Sequence, residues 1–161
     1  MLRTLALACS LILGCAAQAV EEPALVGTPT VIDGDTLEIH GHRIGLHGID
    51  ALESHQECTR ADNTLWRCRQ QAALALSDHI GRTSVRCEPR GHDRYAHVTA
   101  VCLSGADDLN RWMVAIGWAV AYQKYSLDYV ADEERAHLAK VGVWLGTFEM
   151  PWDWRQQRRS K

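Results

Sequence analysis

Along the chain, apolar and polar positions alternate first with the two-residue period of strands and later with the 3.6-residue period of helices. Three strand-like segments, Leu25 to Ile32, Thr36 to His40 and Arg43 to Ile49, are rich in β-branched and leucine residues, and Asp-Gly and His-Gly turns separate them. This pattern predicts a meander. From Arg69 to Ile80, Ala72, Ala73, Leu76 and Ile80 mark one helix face, and Gly81 supplies a stop. Thr83 to Cys87 and Val98 to Leu103 read as the arms of a hairpin centred near Arg94. Asp107 or Asp108 caps a second helix, in which Leu109, Trp112, Met113 and Ile116 fall at i, i+3, i+4 and i+7 before Gly117. A third helix is expected from Ser126 to Val141, with Tyr129, Ala136 and Ala139 or Lys140 on one side, ending at Gly142. Trp144, Trp152 and Trp154 read as packing residues rather than a stacking platform. Short strands with interspersed helices point to an α+β domain, a small closed or partly open OB-like barrel with helices packed on it.

The length of 161 residues suits one domain with one core. Residues 1–19 change the picture at the N-terminus. Arg3, the apolar run from Leu5 to Gly14 and the small-residue sequence Ala17-Gln18-Ala19 form a secretory signal, leaving 20–161 as the mature domain. The run is too short to span a bilayer, so no membrane span is expected and the protein is placed in the periplasm or outside the cell. Ile12-Leu13-Gly14-Cys15 loosely resembles a lipoprotein box that would anchor the chain through Cys15, but leucine before the glycine matches that pattern poorly, and cleavage after Ala19 is preferred. Loss of Arg3 removes one of 17 basic residues and none of the 20 acidic ones, so the net charge moves from −3 to −4. Such a chain does not advertise strong unspecific nucleic-acid binding. The cationic cluster at Arg155 to Lys161 reads as a solvated terminus rather than a binding arm. The mature chain keeps Cys58, Cys68, Cys87 and Cys102, an even number that favours two disulfides after export. Three pairings exist; chain order selects Cys58 with Cys68 and Cys87 with Cys102, the second pair falling opposite across the hairpin. A four-cysteine zinc site is disfavoured for want of CxxC spacing.

The candidate chemistry lies in Asp35, Asp50 and Glu53. Calcium takes several hard oxygens in irregular geometry, so carboxylates at the ends of neighbouring strands can share it with carbonyls and water. Asp33-Gly34-Asp35 alone would be only a hairpin turn. Together with "GIDALE" at 48 to 53, "DRYAH" at 93 to 97, "DLNRWMVAIGWAVAY" at 108 to 122 and "GVW" at 142 to 144, the segment "VIDGDTLEI" at 31 to 39 resembles the staphylococcal-nuclease (thermonuclease-like) family in order and spacing, from about Thr28 to Trp144. The paired cysteines and the ending "GTFEMPWDWR" look most like exported bacterial members, some named for succinoglycan (exopolysaccharide) biosynthesis. The resemblance implies a five-stranded OB barrel with three helices and phosphodiester cleavage of DNA and RNA using one calcium ion. It also implies that Asp35, Asp50 and the backbone carbonyl of Ala51 hold the metal, that Glu53 positions or deprotonates the attacking water, and that Asp33 is an outer carboxylate.

Two departures weaken the expected chemistry. The resemblance places a phosphate-contacting arginine where this chain has Gly45, and a second arginine, ending a D-x-Y-G-R motif, where it has His97. An arginine of this kind is worth about 10³ to 10⁵ in turnover in phosphoryl-transfer enzymes. His97 is a weak substitute, lacking the bidentate fork; Arg43 and His47 share the strand face of Gly45 but are displaced along it. Leu52 replaces a usual proline, which is expected to loosen the Glu53 loop, and Ala96 replaces a glycine, which is expected to reshape its turn. His40, His42, His47 and His97 raise a lesser prospect of a transition-metal site. The expected function is therefore a nuclease of weak or lost activity, with nucleic acid or a nucleotide as a weak ligand. The alternative is a non-catalytic accessory or binding protein of the cell envelope that holds a polysaccharide.

Overall fold

The structure is a computed structural model that describes residues 22–159. The leader segment and Cys15 lie outside the described residues. Strands β1 (Leu25–Gly27), β2 (Thr30–Asp33), β3 (Thr36–Ile39), β4 (His42–Leu46) and β5 (Ile49–Ala51) lead into a short pair, β6 (Cys58–Thr59) and β7 (Leu65–Trp66). Helix α1 (Cys68–Ile80) follows, then β8 (Val85–His92), β9 (Val98–Ser104), β10 (Asp107–Asp108), α2 (Leu109–Ala115) and β11 (Ala119–Ala121). Helix α3 (Val130–Ala139), a 3₁₀ turn at Gly142–Leu145 and α4 (Pro151–Arg159) complete the order.

The architecture is α+β and OB-like, with more elements than the sequence predicts. The main sheet runs β1-β8-β9-β4-β3-β2, with β10 paired to β9, and among the described residues no ladder closes it into a barrel. The expected first strand divides at Pro29, which has no N–H to give a ladder. The third divides at Gly48, whose φ of +76° turns the chain, so that β5 leaves the main sheet and pairs with β11 through Asp50 opposite Val120. The hairpin arms are longer than expected, running through a bulge between Pro89 and Gly91. The third helix starts at Val130 rather than Ser126, and α4 is a fourth helix that the sequence reading left out.

One core lies between the sheet and α1 and α2. Leu37, Ile39, Ile44, Leu76, Leu109 and Met113 are fully enclosed there. α1 contributes Cys68, Ala72, Leu76 and Ile80, so its buried stripe is shifted from the expected one by Cys68 in place of Ala73. A second cluster joins Leu52, Cys58, Cys68 and Val143. The bridges Cys58–Cys68 and Cys87–Cys102 each sit in one of these cores, and such pairs suit an oxidising compartment. No helix among the described residues is long and apolar enough to cross a membrane.

Candidate active site

The β2–β3 turn carries Asp33 and Asp35. Gly34 between them has no unusual backbone angle; it is needed for close approach, because a Cβ there would meet the Cβ atoms of Ala72 at 2.9 Å and Ala51 at 3.0 Å. The turn therefore lies directly on α1 and β5. Asp35 faces β5, where its Oδ2 accepts the Ala51 N–H at 2.8 Å, while its Oδ1 accepts the Thr36 hydroxyl at 2.9 Å. Asp33 points the other way. Both its oxygens accept from Arg69 Nε on α1 at 2.9 Å. Burial and the Asp35 charge raise the Asp33 carboxyl above its ordinary pKa, against the pull of Arg69.

Asp50 is buried on β5, and Glu53 follows in the loop beyond it. Leu52, where a proline is usual, is 2 % exposed and packs in the second core cluster. Buried Gln56 adds a polar clamp: its Oε1 accepts the Glu53 N–H at 3.1 Å and its Nε2 donates to the Glu149 carbonyl, just before α4.

The guanidinium of the site comes from α4. Arg155 Nη1 donates to Asp50 Oδ1 at 2.9 Å and to Glu53 Oε1 at 2.6 Å, and its Nη2 donates to Asp50 Oδ2 at 2.6 Å. This is a two-pronged arginine–carboxylate pair with a third bond to a second acid. Burial pushes the Asp50 carboxyl up to about 6, with Asp35 and Glu53 adding to the rise and Arg155 opposing it. The hydrogen bonds to Asp50, and then those to Glu53, hold the Arg155 guanidinium above its ordinary range despite burial, so it stays charged. The reading of Arg155 as part of a solvated terminus is thereby corrected. A signal existed in the sequence: Pro151 suits the first turn of a helix, and Trp152 and Arg155 then share one face at i, i+3. Trp152 stacks on Tyr122 with ring centres 5.2 Å apart.

The positions expected to bear arginine lie on β4 and in the β8–β9 turn. Gly45 on β4 lies opposite Thr36 on one side and Thr99 on the other. His97 closes the β8–β9 turn, with its Nδ1 3.1 Å from Asp93 Oδ2. Burial alone would raise the Asp93 carboxyl, but the N–H groups of His97 and Tyr95 and the His97 ring hold it below its ordinary value. Ala96 takes up φ of +62° in this turn. Arg94 lies over the Tyr95 ring, 4.8 Å from its centre. His47 is no cation substitute at neutral pH, because burial and Arg90 lower its pKa. Arg43 is exposed opposite Glu38. Among the described residues, no group of three or more His, Cys, Asp or Glu side chains is arranged to hold a metal. Neither His40, His42, His47 and His97 nor the acidic cluster forms such a group.

Comparison with known proteins gives this geometry a context. The family model described as staphylococcal nuclease homologue matches residues 43–146. A succinoglycan biosynthesis protein, ExoI, of Rhizobium meliloti (strain 1021) is 33% identical over 123 residues, which is 74% of this chain and 64% of that protein. The chain therefore spans less than two thirds of that relative's length. An uncharacterized endonuclease of Haemophilus influenzae is 31% identical over 137 residues, covering 80% of this chain and 71% of the relative.

Proposed function

The chain belongs to the family of staphylococcal nuclease homologues, and on that premise we propose that it is an exported thermonuclease-like domain whose hydrolysis of DNA and RNA phosphodiesters is weak or lost. The observation that carries this reading is the ion pair of Arg155 with Asp50 and Glu53, together with Gly45 and His97 at the positions where the family resemblance implies arginines. Asp35, Asp50 and the Ala51 carbonyl are the groups that would hold one calcium ion, with Asp33 outside them on Arg69 and Glu53 placed to orient or deprotonate a water. Hard oxygens of this kind suit calcium. With Arg155 seated they do not fit it, because the guanidinium fills the position between Asp50 and Glu53 and would repel a dication there. Charge built on the nonbridging oxygens during phosphoryl transfer would then meet neither arginine nor metal.

The test is cleavage of DNA and RNA by the oxidised protein with calcium, beside the triple variant Gly45→Arg, Ala96→Gly, His97→Arg. Position 45 has room, since a Cβ there meets nothing nearer than Thr99 Cγ2 at 3.8 Å. Wild type is expected to cut more than about tenfold more slowly than an arginine-bearing relative, a barrier difference above ~1.4 kcal/mol. The triple variant is expected to be faster than wild type. A wild-type rate equal to the relative's overturns the reading.

A second reading, a non-catalytic accessory protein of the envelope, is favoured by a separate feature. Trp66, Trp118, Arg60, Arg67 and Gln71 line a cavity of about 610 Å³ beside the β6–β7 pair. Aromatic surface with polar side chains around it suits an oligosaccharide, and the similarity to a succinoglycan biosynthesis protein points the same way. Oligosaccharide binding by a protein that leaves nucleic acid uncut would favour this reading over the first.

A further inference from the structure

We propose that Arg155 is a resident cation that competes with a divalent metal ion for Asp50 and Glu53, so that docking of α4 and metal binding exclude one another. The proposal rests on the reading of Asp35, Asp50 and Glu53 as the family's acidic site.

The exclusion follows from the hydrogen bonds. Each Asp50 oxygen accepts from a different nitrogen of the guanidinium fork, and Glu53 Oε1 accepts from Nη1. A metal ion placed to bridge Asp50 and Glu53 would take the position of the guanidinium, whose Nη1 already bridges them, and its charge would repel the guanidinium from any other site on Asp50. The charge balance leaves an incentive for the exchange. Asp35, Asp50 and Glu53 bring three negative charges to the cluster, and Arg155 offsets only one. A dication would offset two.

The arm that delivers Arg155 is built to dock and to release. Its base is fixed: the Thr59 and Thr147 backbones exchange N–H···O bonds of 2.9 Å, and Gln56 holds the Glu149 carbonyl. Beyond that base, α4 rests on the body through buried Pro151, the Trp152–Tyr122 stack and Arg155, whereas Asp153 and Gln157 to Arg159 are exposed. A hinge between Glu149 and Pro151 would free the guanidinium without disturbing either disulfide core.

The test is calorimetric titration of the full, oxidised protein with calcium chloride, with hydrogen exchange of residues 151–159 followed in parallel. Arg155→Gln is expected to bind calcium at least tenfold more tightly than wild type. Trp152→Ala, which loosens α4 from outside the acidic cluster, is expected to shift affinity in the same direction and guards against a fault peculiar to the first variant. In wild type, saturating calcium is expected to speed exchange in α4. Equal affinities in wild type and both variants, or no binding by any of them, would overturn the proposal. So would tighter binding in the variants with α4 exchange in wild type unchanged by saturating calcium. Cleavage plays no part in this readout. Failure here leaves the weak-nuclease reading standing, while a brisk wild-type nuclease whose calcium affinity still rises in Arg155→Gln overturns that reading alone.

Discussion

Ala96 sits at φ of +62°, in the left-handed region where a Cβ costs about 1–2 kcal/mol. Glycine would remove that cost and give back about 0.4–1 kcal/mol through the greater freedom of the unfolded chain. The first effect is larger, so Ala96→Gly is expected to stabilise the fold by about 0.5–1 kcal/mol, read as a raised urea midpoint with unchanged slope. A lowered midpoint would contradict this account of the turn. His47 yields a pH prediction of known sign. Its folded pKa is lowered from the ordinary 6.5, chiefly by burial, with Arg90 assisting. The folded state therefore binds its proton less readily than the unfolded chain does. Stability is fully present above about pH 6.5 and is lost as pH falls through that value toward the lowered folded pKa. His47→Gln should flatten the decline between about pH 7 and 5 in denaturant titrations; an unchanged slope would contradict it. At this scale the acids at 33, 35, 50 and 53 were legible because a turn, a strand end and their spacing announce them. The packing of Leu52 was not, because the neighbours of a buried leucine lie elsewhere along the chain, here Cys58, Cys68 and Val143.

Among the elements, α2 is tied to the sheet by one fully buried amide. Asn110 Oδ1 accepts the Cys102 N–H at 3.0 Å, and its Nδ2 donates to the His47 carbonyl at 2.9 Å and the Ala100 carbonyl at 3.0 Å. Ala100 also accepts the His47 N–H, so the Cys102 N–H is the group left without an acceptor when the amide is removed. Asn110→Ala is expected to cost about 2–3 kcal/mol and to lower Tm by about 4–12 °C in a thermal scan. A loss under about 0.5 kcal/mol would show that the backbone re-pairs locally. Helix periodicity located α1 and α2, although α2 encloses Asn110 and Val114 with Leu109 and Met113, while Trp112 and Ile116 of the expected stripe are only half-buried. It missed β11, three residues long and buried on all of them, since so short a segment carries no period. It missed α4 for the opposite reason: its inward face is a proline, a tryptophan and an arginine, and arginine at an inward position reads as solvent-exposed until its acidic partners, 105 and 102 residues away along the chain, are known.

In the whole molecule, the order of motifs was enough to place the acids at one end of an OB-like sheet, whereas closure was not readable. The chain splits at Pro29 and Gly48, and among the described residues the sheet is open, the partly open form of the barrel that was expected. One further feature links distant walls of the site. Helix α1 begins at Cys68, which is bonded to Cys58 beyond the Glu53 loop, and its next residue, Arg69, grips Asp33. A thiol-rich medium that opened this bridge would slacken both sides of the acidic basin together, so that its shape becomes answerable to the redox poise of its surroundings.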